Sequence, residues 1–180
     1  MIEVTNDILT LRKVRPSDLE AVKEFRAEFL QNHEHMDGTS GLARYEDPND
    51  WYQWICNAEH KETCSPKWVP DTQYISIRNS DGKLVGMLDI RHERNEKIAN
   101  YYGDIGYSIR ASERRKGYAK MQLALAMDIC KAMGKEHILI TCVKENIPSS
   151  KTIQHCGGVL ENEVIDPDDN AILQRYWITL

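Results

Sequence analysis

Residues 104–120 read DIGYSIRASERRKGYAK and open a strand–helix–strand unit. Apolar residues alternate with small or polar ones over 104–110, which predicts a strand. Apolar residues at helical spacing over 116–133, followed by Gly134, predict a helix that ends at this glycine. The run 137–143 is almost continuously apolar, as a strand covered on both faces would be. This order predicts a right-handed crossover between two strands that are parallel or nearly so.

The rest of the chain adds strands and helices on either side of this unit. An Asp-Gly turn at 81–82 between apolar runs predicts a hairpin. The predicted strands are 8–14, 73–78, 83–91, 159–165 and 172–180, and the predicted helices are 19–30, a segment beginning at Pro48, and 148–155. We therefore expect one domain over residues 1–180, of mixed α/β (α+β) class, with about four helices on both faces of one mixed sheet of about seven strands.

The composition excludes several classes of protein. The chain has 180 residues, a formal net charge of −5, 41% hydrophobic residues and 28% charged residues, which argues against disorder. The acidic total argues against a nucleic-acid partner, which needs a broad basic face. The sequence shows no membrane-spanning run and no signal-peptide pattern, so we expect no membrane partner. Five cysteines without a CxxC pair argue against a metal site or a disulfide framework, and we expect a cytoplasmic protein.

Positive charge is concentrated in the turn 110–120. This turn holds five basic residues and one acid, so its charge is +4 while the other residues sum to −9. It lies where a strand passes to a helix N-terminus, whose free N–H groups and dipole favour an anion. Gly117 allows close approach of a ligand, which points to a site for a pyrophosphate. The turn contains neither a Walker loop nor a GxGxxG fingerprint, and a solvated basic loop is the alternative.

Three segments of the chain match a known family in the family's own order. Arg114-Arg115-Lys116-Gly117-Tyr118-Ala119 fits the signature R/Q-x-x-G-x-G/A, and Ile105-Gly106-Tyr107-Ser108-Ile109 precedes it. Asn146-Ile147-Pro148-Ser149-Ser150, closing at Gly157, fits an N-x-x-S…G segment. In these segments the chain resembles the GNAT (GCN5-related) N-acetyltransferases, and within that family it most resembles a bacterial group. The resemblance covers about residues 84–160 specifically.

The resemblance implies a splayed sheet and a cofactor. In GNAT proteins the fourth and fifth strands diverge, and acetyl-CoA binds between them; here those strands are 104–110 and 137–143. The pantetheine arm is implied to lie along the first of these strands and near the motif Asn, and the pyrophosphate on the amides of the turn. The implied cofactor-binding residues are Tyr107, Ser108, Ile109, Arg114, Arg115, Lys116, Gly117, Tyr118, Ala119, Lys120, Asn146, Ser149 and Ser150.

The resemblance also implies an activity, the direct transfer of an acetyl group from acetyl-CoA to a primary amine of a small molecule or peptide. Many family members carry a carboxylate early in the fourth strand as the general base, and Asp104 occupies that region. His92 and Asp89, on the preceding strand, are neighbouring candidates because a histidine titrates near neutrality. The alternatives are an ordinary strand-end aspartate and a surface histidine.

One position departs from the family pattern. Many relatives carry a Tyr as the general acid seven residues after the motif Asn, and this chain has Ile153 there. Tyr107 and Tyr176 are the remaining candidates for that proton, and the thiolate can also leave through water or without an acid. The departure lends support to a rival function, a non-catalytic acyl-CoA-binding or regulatory module on the same fold.

The acceptor region of the family corresponds here to the segment 33–54, which is rich in acids and aromatic residues. Acids near aromatic rings would suit a cationic amine. The alternative is a solvated acidic loop over a helix whose tryptophans are core residues. Besides acetyl-CoA and the amine acceptor, a second copy of the chain in a homodimer is a partner that we leave open.

Overall fold

The computed structural model describes residues 3–180, which form eight strands and four α-helices. The strands are β1 (Val4–Thr5), β2 (Leu9–Lys13), β3 (Asp71–Arg78), β4 (Leu84–Arg91), β5 (Ile105–Ile109), β6 (His137–Val143), β7 (Val159–Ile165) and β8 (Ile172–Thr179). The helices are α1 (Leu19–Gln31), α2 (Pro48–Ala58), α3 (Tyr118–Ala132) and α4 (Ile147–His155). The predicted mixed α+β class is confirmed, and β1 is an element that the sequence did not predict.

The strands form two sheets where the sequence predicted one. An antiparallel sheet has the order β1-β2-β3-β4-β5, and a smaller sheet has the order β6-β8-β7. β5 and β6, joined by the α3 crossover, form no ladder with each other. Gly103, two residues before β5, forms an isolated antiparallel bridge with Ile140 of β6. The expected parallel pairing is therefore absent within residues 3–180, because the two strands diverge beyond this bridge, as the resemblance implied.

Two hydrophobic clusters hold helices on opposite faces of the larger sheet. On one face, Met87 packs with Phe25 of α1 and Trp51 of α2. On the other face, Leu88 packs with Leu123 of α3. Neighbouring residues of β4 thus serve opposite faces, as the two-residue period of a strand requires. Each of these side chains is fully buried, and burial of one such side chain contributes ~1.5–3 kcal/mol.

Candidate active site

β5 forms one wall of an opening because its outer edge has no partner strand. Arg91 N donates to Asp104 O at 2.8 Å, so Asp104 belongs to a hydrogen-bonded pair of the β4–β5 register. Such pairs alternate along antiparallel strands, and the backbone N–H groups of Tyr107 and Ile109 therefore point away from β4. The Ile109 carbonyl accepts a hydrogen bond from Arg114 Nε at 2.9 Å. Free amides thus line the edge of β5.

The N-terminus of α4 lies across the opening from β5. The hydroxyl of Tyr107 lies 2.9 Å from Ser149 Oγ, which links the two elements. Asn146 caps α4, since its Oδ1 accepts from Ser149 N at 3.2 Å. Ser150 is only 6% exposed and donates to Ile147 O at 3.1 Å. Ser149 therefore faces the opening, Asn146 lies beside it as the cap of α4, and Ser150 is directed into its own helix.

Two arginines of the turn are anchored by acids from α1 and the loop that follows it. Arg114 donates two hydrogen bonds to the carboxylate of Glu34, the longer at 2.9 Å. Arg110 Nε donates to Glu28 Oε2 at 2.7 Å. Arg114, which the sequence predicted to add charge at a ligand, is therefore largely neutralised by its partner. These pairs fix the shape of the turn against α1.

Glu113 is a buried acid that binds Lys116 of the turn and Lys83, which lies just before β4. It is 3% exposed and accepts hydrogen bonds from Lys116 Nζ at 2.8 Å and Lys83 Nζ at 2.7 Å. These two hydrogen bonds hold the pKa of Glu113 at about 2, so it stays ionised. Within residues 3–180, Arg115 and Lys120 form no ion pair, and their charges remain available to a ligand.

The turn also presents backbone amides without acceptors. Among residues 3–180, nothing accepts from the N–H groups of 115–120, whereas Asp47 and Asn146 cap α2 and α4 with their side chains. Arg115 and Gly117 have positive φ angles of 65° and 84°, and this left-handed backbone creates the concave row of amides. Such a row at a helix N-terminus binds anions such as phosphate groups.

A groove of about 520 Å³ extends from this turn between α3 and α4. Gly117 and Lys120 lie at one end of the groove, and Met121, Met127 and Cys156 supply apolar lining. An apolar groove with a few convergent polar groups is typical of small-molecule sites. It is therefore suited to a ligand with an anionic group and an apolar or aromatic portion.

Asp104 lies at the closed end of the opening and is fully buried. Arg94 donates to both of its carboxylate oxygens, at 2.9 and 2.5 Å. Leu139 N donates to Oδ2 at 2.7 Å, and Lys135 Nζ lies 3.5 Å from Oδ1. This geometry favours a structural role, joining β5 to β6, over the predicted role as a base, because donors already occupy both oxygens.

His92 is half-buried just after β4. Its Nε2 lies 2.8 Å from Thr72 Oγ1, and its carbonyl accepts from Lys135 Nζ at 3.2 Å. Burial, and next the charge of Lys135, lower the pKa of His92, so the ring is neutral at neutral pH. A neutral His92 could accept a proton as a general base. However, its Nε2 is engaged with the side chain of Thr72 on β3.

Asp71 and Asp89 form a pair of buried carboxylates. The sequence pointed to Asp89 as a candidate general base but not to Asp71. Both are buried at 3% and 2% exposure, on the face of the sheet that α1 and α2 cover. Asp71 pairs in register with Arg91, and Asp89 pairs with Gly106 of β5. The predicted hairpin at the 81–82 turn could have revealed this pair, because its register places the start of β3 opposite the end of β4.

A family model described as "Acetyltransferase (GNAT) domain" matches residues 9–159. This span contains β5, the turn, α3 and the cap of α4. The chain belongs to the GNAT acetyltransferase family. No curated protein matches the chain. Within residues 3–180, no group of three or more His, Cys, Asp or Glu could hold a metal ion, and no helix is long and apolar enough to cross a membrane.

Solved structures of other GNAT acetyltransferases share the fold over nearly the whole chain. Mycobacterium smegmatis RimJ in complex with CoA-disulfide is 23% identical, with a TM-score of 0.71, and the match covers 95% of this chain and 81% of that one. Ribosomal-protein-S5-alanine acetyltransferase from Vibrio fischeri is 18% identical, with a TM-score of 0.69 and coverage of 99% and 97%. Microcin C7 self immunity acetyltransferase MccE, in complex with acetyl-CoA and AMP, is 16% identical, with a TM-score of 0.72 and coverage of 97% and 94%.

The position at which many GNAT relatives carry a tyrosine is a core position here. Ile153 is 0% exposed, so it packs in the core and contributes no proton donor. Tyr176 is 1% exposed and donates to Gln174 Oε1 at 2.7 Å. Tyr107 is the candidate acid that lies between β5 and α4, and burial raises its pKa, so it carries its proton at neutral pH.

The acidic segment 33–54 does not assemble around its aromatic residues as one cluster. Trp51 is fully buried and its Nε1 donates to Thr39 O at 2.8 Å, so it belongs to the core. Glu34 binds Arg114, and Asp47 caps α2. Asp37 is the acid of this segment that lies next to the GNAT opening, since Ser108 Oγ donates to its carbonyl at 2.6 Å.

Proposed function

We propose that the protein is an acetyl-CoA-dependent N-acetyltransferase that transfers an acetyl group directly to a primary amine of a small molecule or peptide. The observation that carries this proposal is the row of amides at 115–120, which lack acceptors within residues 3–180 and continue from the free edge of β5. Family membership supports the reaction class. GNAT neighbours with CoA or acetyl-CoA bound support the cofactor.

The residues present fit acetyl-CoA, which would supply an activated acetyl thioester. The amides of 115–120 suit the pyrophosphate, with added charge from Arg115 and Lys120. The backbone amides of Tyr107 and Ile109 suit the amide groups of pantetheine, because they are free donors on a strand edge. The cap residue Asn146 lies at the N-terminus of α4, next to Ser149, which contacts Tyr107. Lys116, Tyr118 and Ala119 shape the turn, and Ser150 is assigned to α4 itself.

The transfer requires groups that stabilise charge and move protons. A free N–H of β5 can donate to the oxyanion that develops on the acetyl carbonyl, at a position fixed by the sheet. The hydroxyl of Tyr107 can protonate the leaving thiolate, in place of the tyrosine that Ile153 replaces. The amine must lose a proton before it attacks, so a proton acceptor is also required on the acceptor side.

A non-catalytic acyl-CoA-binding module is the second candidate, and the buried Ile153 is the observation that favours it. The two functions separate when the protein is incubated with acetyl-CoA and a panel of primary amines while released CoA thiol is measured. We expect CoA release above background with at least one amine. Tight acetyl-CoA binding with background release across the panel would support the binding module instead.

A further inference from the structure

A buried charged cluster lies beneath the backbone of β5, on the face opposite α3. Asp71, Asp89 and Arg91 share this face, and each is less than 9% exposed. Arg91 Nη2 lies 2.9 Å from Asp89 Oδ2. Arg91 Nη1 donates to the carbonyls of Tyr102 and Gly103, at 2.8 and 3.0 Å. One guanidinium thus binds the Asp89 carboxylate and part of the main chain, and it acts on Asp71 only through its charge.

Three polar atoms of the cluster have no hydrogen-bond partner among residues 3–180: one oxygen of each carboxylate and Arg91 Nε. Among residues 3–180, Oδ1 of Asp71 and Oδ1 of Asp89 accept from no group. The Ser40 hydroxyl lies 3.0 Å from Asp71 Oδ2 and 2.9 Å from Gln73 Oε1, and its single proton can serve only one of these acceptors at a time. Even the partnered oxygen of Asp71 thus relies on a neutral donor. Buried carboxylate oxygens are almost always hydrogen-bonded in native proteins, because an unpaired one is costly. The two free oxygens are therefore positions at which the pair can hold a proton.

Two glycines bring the cluster up to the β5 backbone. A Cβ at Gly106 would overlap Asp89 Oδ1, and a Cβ at Gly38 would overlap the Gly106 carbonyl. Only glycine at both positions lets Asp89 and the 33–41 loop close on β5. The cluster thus lies one residue from Tyr107, whose free amide we assign to the acetyl-CoA side.

Asp37 is the acid of the 33–41 loop that acts on the cluster, because its negative charge contributes to the raised pKa of Asp89. This residue is exposed, lies on the same loop as Gly38, and is held to β5 by Ser108. Asp71 is affected by Asp89, Ser40 and Arg91. Asp89 is affected by Arg91, Asp37 and the Gly106 amide. Asp37 is affected by His35 and Arg91. Carboxylates outnumber guanidinium groups in this set, which suits an approaching cation.

We infer that the Asp71–Asp89 pair is the proton acceptor for the acceptor amine, reached through Asp37, and that the acceptor therefore enters as a cationic ammonium on the 33–41 loop side. The inference rests on the proposed acetyl transfer. The ammonium loses one N–H proton to a carboxylate oxygen of the pair, and its nitrogen lone pair then forms the N–C bond. The C–S bond breaks, the thiolate takes the proton of Tyr107, and the second N–H proton passes to the tyrosinate and restores it. The carboxylate pair then releases the first proton to solvent.

The titration of the pair is suited to this role. Burial, and next the charge of Asp89, raise the pKa of Asp71 to about 7. Burial also raises the pKa of Asp89. A base that titrates near the working pH is efficient because it is ionised yet still basic enough to hold a proton.

The first experiment observes the pair without any acceptor. The carboxyl carbons of the full-length protein, labelled with ¹³C-aspartate, are titrated by NMR. We expect one aspartate to titrate near pH 7, its signal to disappear in Asp71→Asn, and its midpoint to fall in Asp89→Asn because a neighbouring negative charge is lost. If no aspartate titrates above about pH 5.5, the inference is wrong.

The second experiment measures kcat/KM against pH with cadaverine, phenethylamine and a peptide with a free N-terminal serine, using whichever is acetylated fastest. We expect Asp71→Asn to lower kcat/KM by about 10²-fold and to abolish the rise near pH 7, with unchanged acetyl-CoA affinity. Asp128→Asn, an exposed change on α3, is the control that should keep the profile. An unaltered profile in a folded Asp71→Asn overturns the inference alone, whereas absence of acetylation by the wild type overturns the proposed function.

Discussion

Gly117→Leu perturbs the proposed pyrophosphate site without disturbing packing. A Cβ at Gly117 meets only Met121 Cε, at 3.7 Å, so the pocket wall is not overfilled. The φ of 84° is left-handed, and a side chain there costs ~1–2 kcal/mol of folding stability. The leucine side chain would lie beside the amides of 115–120, where we place the pyrophosphate.

The expected loss of affinity follows from the number of amides that become inaccessible. A hydrogen bond to a charged oxygen contributes ~1.5–3 kcal/mol. Losing one or two of them weakens binding by ~3 kcal/mol, which corresponds to about a 100-fold higher Kd for acetyl-CoA. Isothermal titration calorimetry with acetyl-CoA measures this change.

Gly134→Leu is the matched control at the other end of α3. Gly134 has a φ of 80° and nothing within 4 Å of an added Cβ, so its backbone cost is nearly the same. Both variants should lose similar stability in urea unfolding, and only Gly117→Leu should lose acetyl-CoA affinity. If Gly117→Leu binds acetyl-CoA as tightly as the wild type, or if both variants weaken equally, the pyrophosphate does not lie on these amides.

Three further predictions concern protons and ion pairs. Asp104→Asn leaves Arg94 and Lys135 without their buried partner and should lower the free energy of unfolding, measured in urea, by ~3–5 kcal/mol. If the variant keeps its stability but the rate no longer falls at low pH, Asp104 is the base instead. Tyr107→Phe should lower kcat by about 10²-fold with an unchanged acetyl-CoA Kd, and an unchanged kcat would show that the thiolate needs no tyrosine. The pKa of Asp71 is raised from 3.8 to about 7 in the folded state. Between these pH values Asp71 is protonated in the folded protein but ionised in the unfolded chain. The free energy of unfolding should therefore fall as the pH rises from about 4 to 7. Asp71→Asn should flatten that slope, and a slope equal to that of the wild type would contradict the raised pKa.

The parts of the site that the sequence predicted are those set by local chemistry. A turn rich in basic residues before a helix, with a glycine at its start, predicts an anion site because backbone conformation and helix polarity are local properties. Gly117, expected to allow close approach of a ligand, has a positive φ, and Asn146 caps the helix predicted over 148–155. The GNAT family and the mixed fold are confirmed.

The parts that the sequence did not predict depend on contacts between distant residues. The acids that neutralise Arg110 and Arg114 come from residues 82 and 80 positions away, so the +4 of the turn overstated the charge that a ligand meets. The burial of Asp104 among cations likewise follows from the meeting of β5 with β6. The extent of the single domain and the assigned site residues remain predictions.

The most direct test of the central claim follows the acetyl group itself. The protein is incubated with acetyl-CoA labelled with ¹³C in the acetyl group and with the amine panel, and products are identified by mass spectrometry. We predict that at least one primary amine acquires the labelled acetyl group in proportion to the CoA released. Bound acetyl-CoA with no labelled amine product above the protein-free control would contradict the assignment as an N-acetyltransferase.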